Sequence, residues 1–335
     1  MYLQRRQLYT QLEGLRSSKV ISYFTGDRPG LETQIASEVY DFFVNHLDSI
    51  GVTKKISLYL YTRGGETLAA WSIVNLIKQF CDELEVIVPS KARSAGTLIC
   101  LGANRIVMTK QATLGPIDPS INGPLNPLIP GATIGAKAPV SVEALNGFLE
   151  LAQGQLQIKS PTDLSSILIK LSDLIHPLVI GDAYRSKSQI QMLAQKLIES
   201  HTKDGPKSKK IINFLCSESG SHDYAIHRRE ARELLGLNIE KPDDQLYALV
   251  KSIYDDIAAE IQLNSRFDPA AMLGNNPSQD YSLKRGLIES VGGGSHYYVS
   301  EGTISATQLQ TPQGVQRGLQ DQRRLDGWKH EPVRT

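Results

Sequence analysis

Between residues 19 and 109, four short runs rich in β-branched and aromatic residues alternate with three helical ones. "KVISYFTG" (19–26), "KISLYLYT" (55–62), "LEVIVPS" (84–90) and "RIVMT" (105–109) read as strands. "LETQIASEVYDFFVNHLDSIG" (31–51), "ETLAAWSIVNLIKQF" (66–80) and "TLICLGA" (97–103) carry apolar residues at helical spacing. Strands joined through helices return to the same sheet running the same way. The alternation therefore predicts an α/β domain with a largely parallel sheet, preceded by a charged helix over residues 1–17.

That rhythm breaks at "GPIDPSINGPLNPLIPGATIGAKAP" (115–139), which holds too many prolines and glycines for a helix or a central strand. Connectors of this length are usually functional or disordered, and its apolar residues predict an ordered, packed loop. Residues 141–200 read as mostly helical. After the polar stretch "HTKDGPKSKK", "IINFLC" (211–216) is expected to add a strand, "HRREARELLGL" a helix ending near Gly236, and residues 243–264 a further helix. The expected organisation is an N-terminal helix (1–18), a domain over 19–240, a C-terminal helix (241–265) and a polar, partly disordered extension (266–335).

Composition narrows the function classes. A formal net charge of +1 gives no field to attract nucleic acid or an acidic surface. The three cysteines, Cys81, Cys100 and Cys216, form no CxxC pair, which argues against a disulfide framework or structural zinc. No segment reaches the length of apolar chain that a membrane span needs. The expectation is a cytoplasmic protein without membrane contact. No GxxxxGKS or GxxxxGKT stretch is present, so any unfolding ATPase is a separate partner.

Two turns follow strands of the expected sheet: Arg63-Gly64-Gly65, and the stretch ending Ser94-Ala95-Gly96-Thr97. Reactive groups in open α/β sheets sit beyond the carboxyl ends of the strands. If the two strands are neighbours, the turns face one crevice. Gly64-Gly65 offers an unobstructed backbone at a helix start, whose free N–H groups can hold an oxyanion. Ser94 stands at the start of the next helix. Each motif alone is also explained without chemistry, the first as a tight turn and the second as a helix cap.

Order, spacing and wording of the motifs add a resemblance. "YTRGGETLAAWSIVNLIKQF", "VPSKARSAGTLICLGANRIVM" and "LGPIDPSI", with "LIHPLVIGDAYRS" (174–186) and "SHDYAIHRREARELLGL" (221–237), resemble the serine dehydrogenase proteinase (SDH) family of Clp-fold serine peptidases. That family is distantly related to the Clp protease subunit and signal peptide peptidase A. The resemblance runs from about residue 19 to about 240. It implies an α/β, Clp/crotonase-like spiral of β-β-α units with a helical extension, a nucleophile at Ser94, an oxyanion hole from the Gly65 and Ala95 amides, and homo-oligomers. The implied reaction is hydrolysis of a peptide or protein substrate through an acyl-enzyme, with no cofactor and no metal.

A serine hydroxyl needs a base in hydrogen-bond reach. The resemblance to the SDH order of serine, aspartate and histidine implies Asp118 as the orienting acid and His222 as the base. Exchanging acid and base between two sites of one fold does not preserve distances, so His176 stays open as an alternative base. Lys137 is a second alternative, on the pattern of serine–lysine peptidases. Lys91 and Arg93 read as positioning or solvated charges. His46 reads as part of a helix's polar face, His201 as part of a charged linker, and His296 and His330 as part of a loose C-terminal segment. Outside the peptidase reading stand a catalytically silent oligomeric scaffold or peptide-binding protein, and a crotonase-like enzyme holding a thioester enolate, in which Ser94 has no task.

Overall fold

The computed structural model describes residues 1–117, 120–132, 135–218, 221–311 and 314–333. The chain forms two compact units, one from Met1–Leu114 with Ile226–Thr335 and one from Gly115–Ala225. The single domain expected over 19–240 is thus divided. The reason lies where the chain leaves and re-enters the first unit. Thr113–Leu114 pairs antiparallel with Ile226–His227, so a two-residue ladder closes the first unit.

The first unit is α/β and is built on an eight-stranded sheet in the order Ile239–Glu240, Arg105–Met108, Cys81–Val88, Thr53–Tyr61, Lys19–Thr25, Ser278–Ser290, Gly294–Thr311, Gly314–Glu331. The first five strands are parallel, as the alternation predicts. Their apolar runs are continuous because both faces are covered. On one face Val20, Phe24, Tyr59, Tyr61, Ile87 and Val107 pack with Tyr9 and Leu12 of the helix Tyr2–Arg16 and with Val250, Ile253 and Ile257 of the helix Asp244–Glu260. The crossover helix Thr67–Lys78 buries Ala69, Ala70, Ile73, Val74 and Ile77, and Ala95–Leu101 is buried along its whole length. Residues 31–36 are not helical. The helix of that region is Tyr40–Ile50, preceded by a short turn of helix at Ser37–Val39.

The C-terminal segment, expected to be partly disordered, supplies three strands of the large sheet. Ser278–Ser290 pairs antiparallel with Lys19–Thr25, from Ile21 opposite Ser290 to Thr25 opposite Gly286. Its polar composition hides sparse inward positions: Tyr281, Leu283 and Ile304 form a small core with Leu31 and Leu273. The charged N-terminal helix is tied down by buried charge. Arg5, fully buried, pairs with Glu289 at 2.6 Å and Glu260 at 2.8 Å, and also with Asp256; Tyr9 donates to Glu289 at 2.7 Å.

Three histidines expected on polar or loose segments are also packed here. His46 is fully buried; its Nδ1 lies 2.7 Å from Ser290 Oγ and its Nε2 3.0 Å from His296 Nδ1. His296 stacks on His330 with ring centroids 4.1 Å apart. Burial, reinforced by the neighbouring histidines, pushes His46 down to about 3; burial and His330 push His296 down to about 4.

The second unit is mainly helical, with helices Val142–Glu150, Pro161–Leu174, Pro177–Leu197 and Gly205–Asn213. Ser120–Ile121 pairs with Val140–Ser141, and Asn126 Nδ2 donates to the Ile121 and Ala138 carbonyls at 2.6 and 2.8 Å. The strand expected at 211–216 is instead helical. Asp204 caps the Lys207 amide, Pro206 follows in the first turn, and the helix runs on as a π-helical turn over Phe214–Glu218.

Candidate active site

The strands Thr53–Tyr61 and Cys81–Val88 are parallel neighbours, and a bridge from Thr62 to Ala92 extends the pairing beyond their ends. The two turns singled out in the sequence therefore emerge side by side. A β-carbon built on Gly64 would stand 2.6 Å from the Ser94 Cβ and 3.1 Å from its Oγ. Gly64 and Gly65 have φ of +122° and +147°, a region that only glycine adopts without strain. Gly65 is also pressed by the chain at Ile35, whose N–H donates to Gly64 O and whose carbonyl accepts from Glu66 N–H.

Ser94 occupies the N-cap position of Ala95–Leu101 but makes no side-chain cap bond. Its φ is +51° and ψ −118°. The other three described non-glycine residues with positive φ are Ser17, Gln157 and Gln262. In this bent strand-to-helix turn Ser94 is half-buried, and its hydroxyl is not folded onto the helix. The helix start is held without it: Gly96 N–H donates to Arg93 O at 2.8 Å, Leu98 N–H to Ser94 O at 3.1 Å, and Thr97 Oγ1 to Ala92 O at 2.9 Å. Among the described residues, neither the Gly65 nor the Ala95 amide donates to an acceptor.

Thr62 was not singled out in the sequence, whereas Lys91 reads there as a positioning or solvated charge. Thr62 Oγ1 accepts from Gly64 N–H at 2.9 Å and from Thr25 Oγ1 at 2.7 Å. Lys91 is pinned rather than solvated, with Nζ 2.7 Å from Asp27 Oδ2, while Tyr61 donates to Asp27 Oδ1 at 2.8 Å. The signal for Thr62 was its place at the end of a strand, immediately before Arg63-Gly64-Gly65.

His176, His222 and Lys137 all belong to the second unit. His176 is an exposed N-cap, and its Nδ1 accepts the Leu178 N–H at 3.2 Å. His222 is exposed in a turn that the Ser221 hydroxyl and carbonyl stabilise by accepting from the Asp223 and Tyr224 amides. Lys137 is exposed, opposite Leu128 in an isolated bridge. Asp118 lies outside the described residues. The described residues hold no group of three or more His, Cys, Asp or Glu able to bind a metal ion.

Residues 3–134 match the family of ClpP-like SDH-type serine proteinases. This span contains both glycines, Ser94 and Asp118, and over it the resemblance carried by the motifs is borne out. The chain is 28% identical over 202 residues to an uncharacterized protein of Methanocaldococcus jannaschii, covering 59% of this chain and 58% of that one. A second uncharacterized protein of the same organism is 25% identical over 240 residues, 69% of this chain and 70% of its own. The chain thus spans less than two thirds of the first relative. Among solved structures, a mutant of the 1510-N membrane-bound stomatin-specific protease is similar with a TM-score of 0.37 and 19% identity, over 63% of this chain and 77% of that one. A ClpP1 mutant from Listeria monocytogenes gives 0.37 and 14%, over 70% and 99%. No single helix among the described residues is long and apolar enough to cross a membrane; Pro161–Leu174 and Pro177–Ser200 pass that test only as a pair bent by 107°.

Proposed function

We propose that the protein is a serine peptidase with Ser94 as nucleophile and the Gly65 and Ala95 amides as oxyanion hole. The observation that carries this reading is the approach of the Gly64-Gly65 turn to a serine whose hydroxyl caps nothing. In the proposed reaction a base takes the Ser94 proton as Oγ attacks the peptide carbonyl carbon. The two amides hold the negative charge that develops on the carbonyl oxygen. Collapse expels the amine, which leaves with that proton, and water then hydrolyses the acyl-enzyme. The base we assign is His222, with Asp118 orienting it. His176 ranks below it: with Nδ1 accepting from Leu178, the neutral ring carries its proton on Nε2 and has no lone pair left for serine. Lys137 ranks last in this reading, because its exposed side chain lacks the apolar cover that a neutral amine needs.

The test is covalent labelling by a fluorophosphonate probe, with peptide hydrolysis alongside. Wild type should label at Ser94, and Ser94→Ala should neither label nor hydrolyse while keeping its fold. Hydrolysis retained by purified Ser94→Ala refutes the nucleophile. A folded wild type that never labels favours the silent scaffold.

Homo-oligomers are part of the same proposal. The helix Pro161–Leu174 buries no side chain within the chain, and Leu168, Ile169 and Leu174 are exposed. A second copy fits this surface better than lipid, since Asp163, Lys170 and Asp173 lie among the apolar residues. Light scattering at micromolar concentration should exceed the 36.9 kDa of one chain; a monomer mass refutes assembly.

A further inference from the structure

We propose that Thr62 is a positioning residue for the peptidase reaction, holding the Gly64-Gly65 turn in register with the Ser94 turn. The inference rests on the peptidase reading and concerns how its two turns are kept together. Each polar group of Thr62 is committed to one of them. The hydroxyl serves the glycine turn: it accepts the Gly64 N–H at 2.9 Å and lies 3.3 Å from Gly64 O, to which it donates. The main chain serves the serine turn: Thr62 N–H donates to Lys91 O and Thr62 O accepts from Arg93 N–H, both at 3.1 Å. The methyl completes the clamp. A β-carbon on Gly96 would come within 2.4 Å of Thr62 Cγ2, so the methyl fills the space that glycine leaves at the start of the serine-bearing helix.

Thr62 and Gly64 are both buried, so no water stands ready to replace the hydroxyl. A buried amide that loses its acceptor turns toward another one. The peptide that would turn is the one next to Gly65, whose own N–H is the proposed oxyanion donor. Thr25 Oγ1 donates to Thr62 Oγ1 at 2.7 Å and so fixes the direction of the Thr62 proton toward Gly64 O. The hydroxyl is then fully used, accepting twice and donating once.

The experiment compares Thr62→Val, which keeps both branches at Cβ and removes the hydroxyl, with Thr62→Ser, which keeps the hydroxyl and removes the methyl. Fluorophosphonate labelling of the full chain is followed over probe concentration, separating the maximal rate from the half-saturating concentration. Thr62→Val should lower the maximal rate by roughly 10- to 100-fold, as small misplacements of catalytic groups do, with little change in half-saturation. Thr62→Ser should stay within about threefold of wild type, since the acceptor for Gly64 survives. If Thr62→Val does not fold, Thr62→Ala takes its place in the comparison with Thr62→Ser. A folded variant lacking the hydroxyl that labels at the wild-type rate overturns the proposal, as does equal loss in Thr62→Ser. Wild type that fails to label at Ser94 instead overturns the peptidase reading, and the role of Thr62 falls with it.

Discussion

The α-carbon of Gly64 faces the Ser94 side chain so closely that a single methyl on it would stand 2.6 Å from the Ser94 Cβ. Ordinary carbon–carbon contact needs about 3.5 Å or more, so the two residues exclude any larger side chain. Gly64→Ala should therefore displace the Ser94 turn, with strain from φ of +122° added to the clash. The expected outcome is loss of about 1 to 3 kcal/mol of stability together with loss of probe labelling. Gly51→Ala is the control for strain alone: φ there is +71°, but a methyl would meet nothing within 4 Å. That variant should be destabilised and still label. Labelling at wild-type rate by Gly64→Ala would show that the turn does not constrain Ser94.

Two ion clusters hold the N-terminal helix, one around Arg16 with Glu85 and Glu240 and one around Arg5. Arg5 and Glu289 are both fully buried, and Glu260 and Asp256 crowd the same guanidinium. Removing Arg5 leaves buried carboxylate without its partner, which costs about 3 to 5 kcal/mol. Arg5→Ala should lower the urea midpoint accordingly and expose residues 2–16 to proteolysis. The double change Arg5→Met with Glu289→Leu should recover only part of the loss, because it removes the buried charge pair but leaves the Tyr9 and Ser295 hydroxyls without their acceptor and Glu260 without one of its cations. Equal instability in the double variant would mean that the cluster does more than balance charge.

The alternation of strands and crossover helices was legible because each parallel strand is covered on both faces and so spells a continuous apolar run, as Leu58-Tyr59-Leu60-Tyr61 does. Ser94 and the two glycines were legible for a related reason, since backbone geometry at those turns admits few residue types. The strands at 278–331 were not. Their apolar positions are scattered, such as Tyr281 and Ile304, and the longest continuous buried run among the described residues there, 286–290, includes the polar Glu289 and Ser290. The pairing of Ser278–Ser290 with Lys19–Thr25 also joins residues far apart in sequence. The buried role of His46 was hidden in the same way, because its partners Ser290 and His296 lie some 250 residues on. The helix at 205–218 was missed because "IINFLC" is short and apolar, and only the Asp204 cap upstream decides its type. Thr62 escaped because its hydroxyl bonds are set by the turn that follows it, which local periodicity does not record.

The His46–His296 contact makes stability depend on mild acid. Both rings are held neutral in the fold, at about 3 and about 4, while in the unfolded chain they bind protons near the ordinary 6.5. Unfolding therefore takes up protons below about pH 6.5, so stability is complete above that value and falls as pH drops toward the folded values. Each histidine contributes a slope of about 1.4 kcal/mol per pH unit in that window. Glu260 is held low in the fold, burial opposing and Arg5 and Lys284 prevailing, and its contribution is lost in the same direction but only below its ordinary carboxylate value. Urea midpoints between about pH 6 and 5 isolate the histidines. His296→Gln should roughly halve the slope there; an unchanged slope would remove the pair from the account.

The base is decided by three alanine variants across about pH 5 to 10. If His222 activates Ser94, His222→Ala should label several orders of magnitude more slowly than wild type, because the serine hydroxyl alone is a weak nucleophile. The wild-type rate should rise through a histidine-like value of roughly 6 to 7. His176→Ala removes a helix cap, so it should cost about 0.5 to 2 kcal/mol of stability and leave the rate unchanged. Lys137→Ala should change neither. A slow His222 variant counts only if its circular dichroism matches wild type, since Ser221 and Asp223 build the turn around it. An active His222→Ala with a dead Lys137→Ala, and a rise at higher pH, would move the chemistry to a serine–lysine pair. A dead His176→Ala would mean that the ring releases the Leu178 amide when substrate binds, freeing Nδ1 to take the proton.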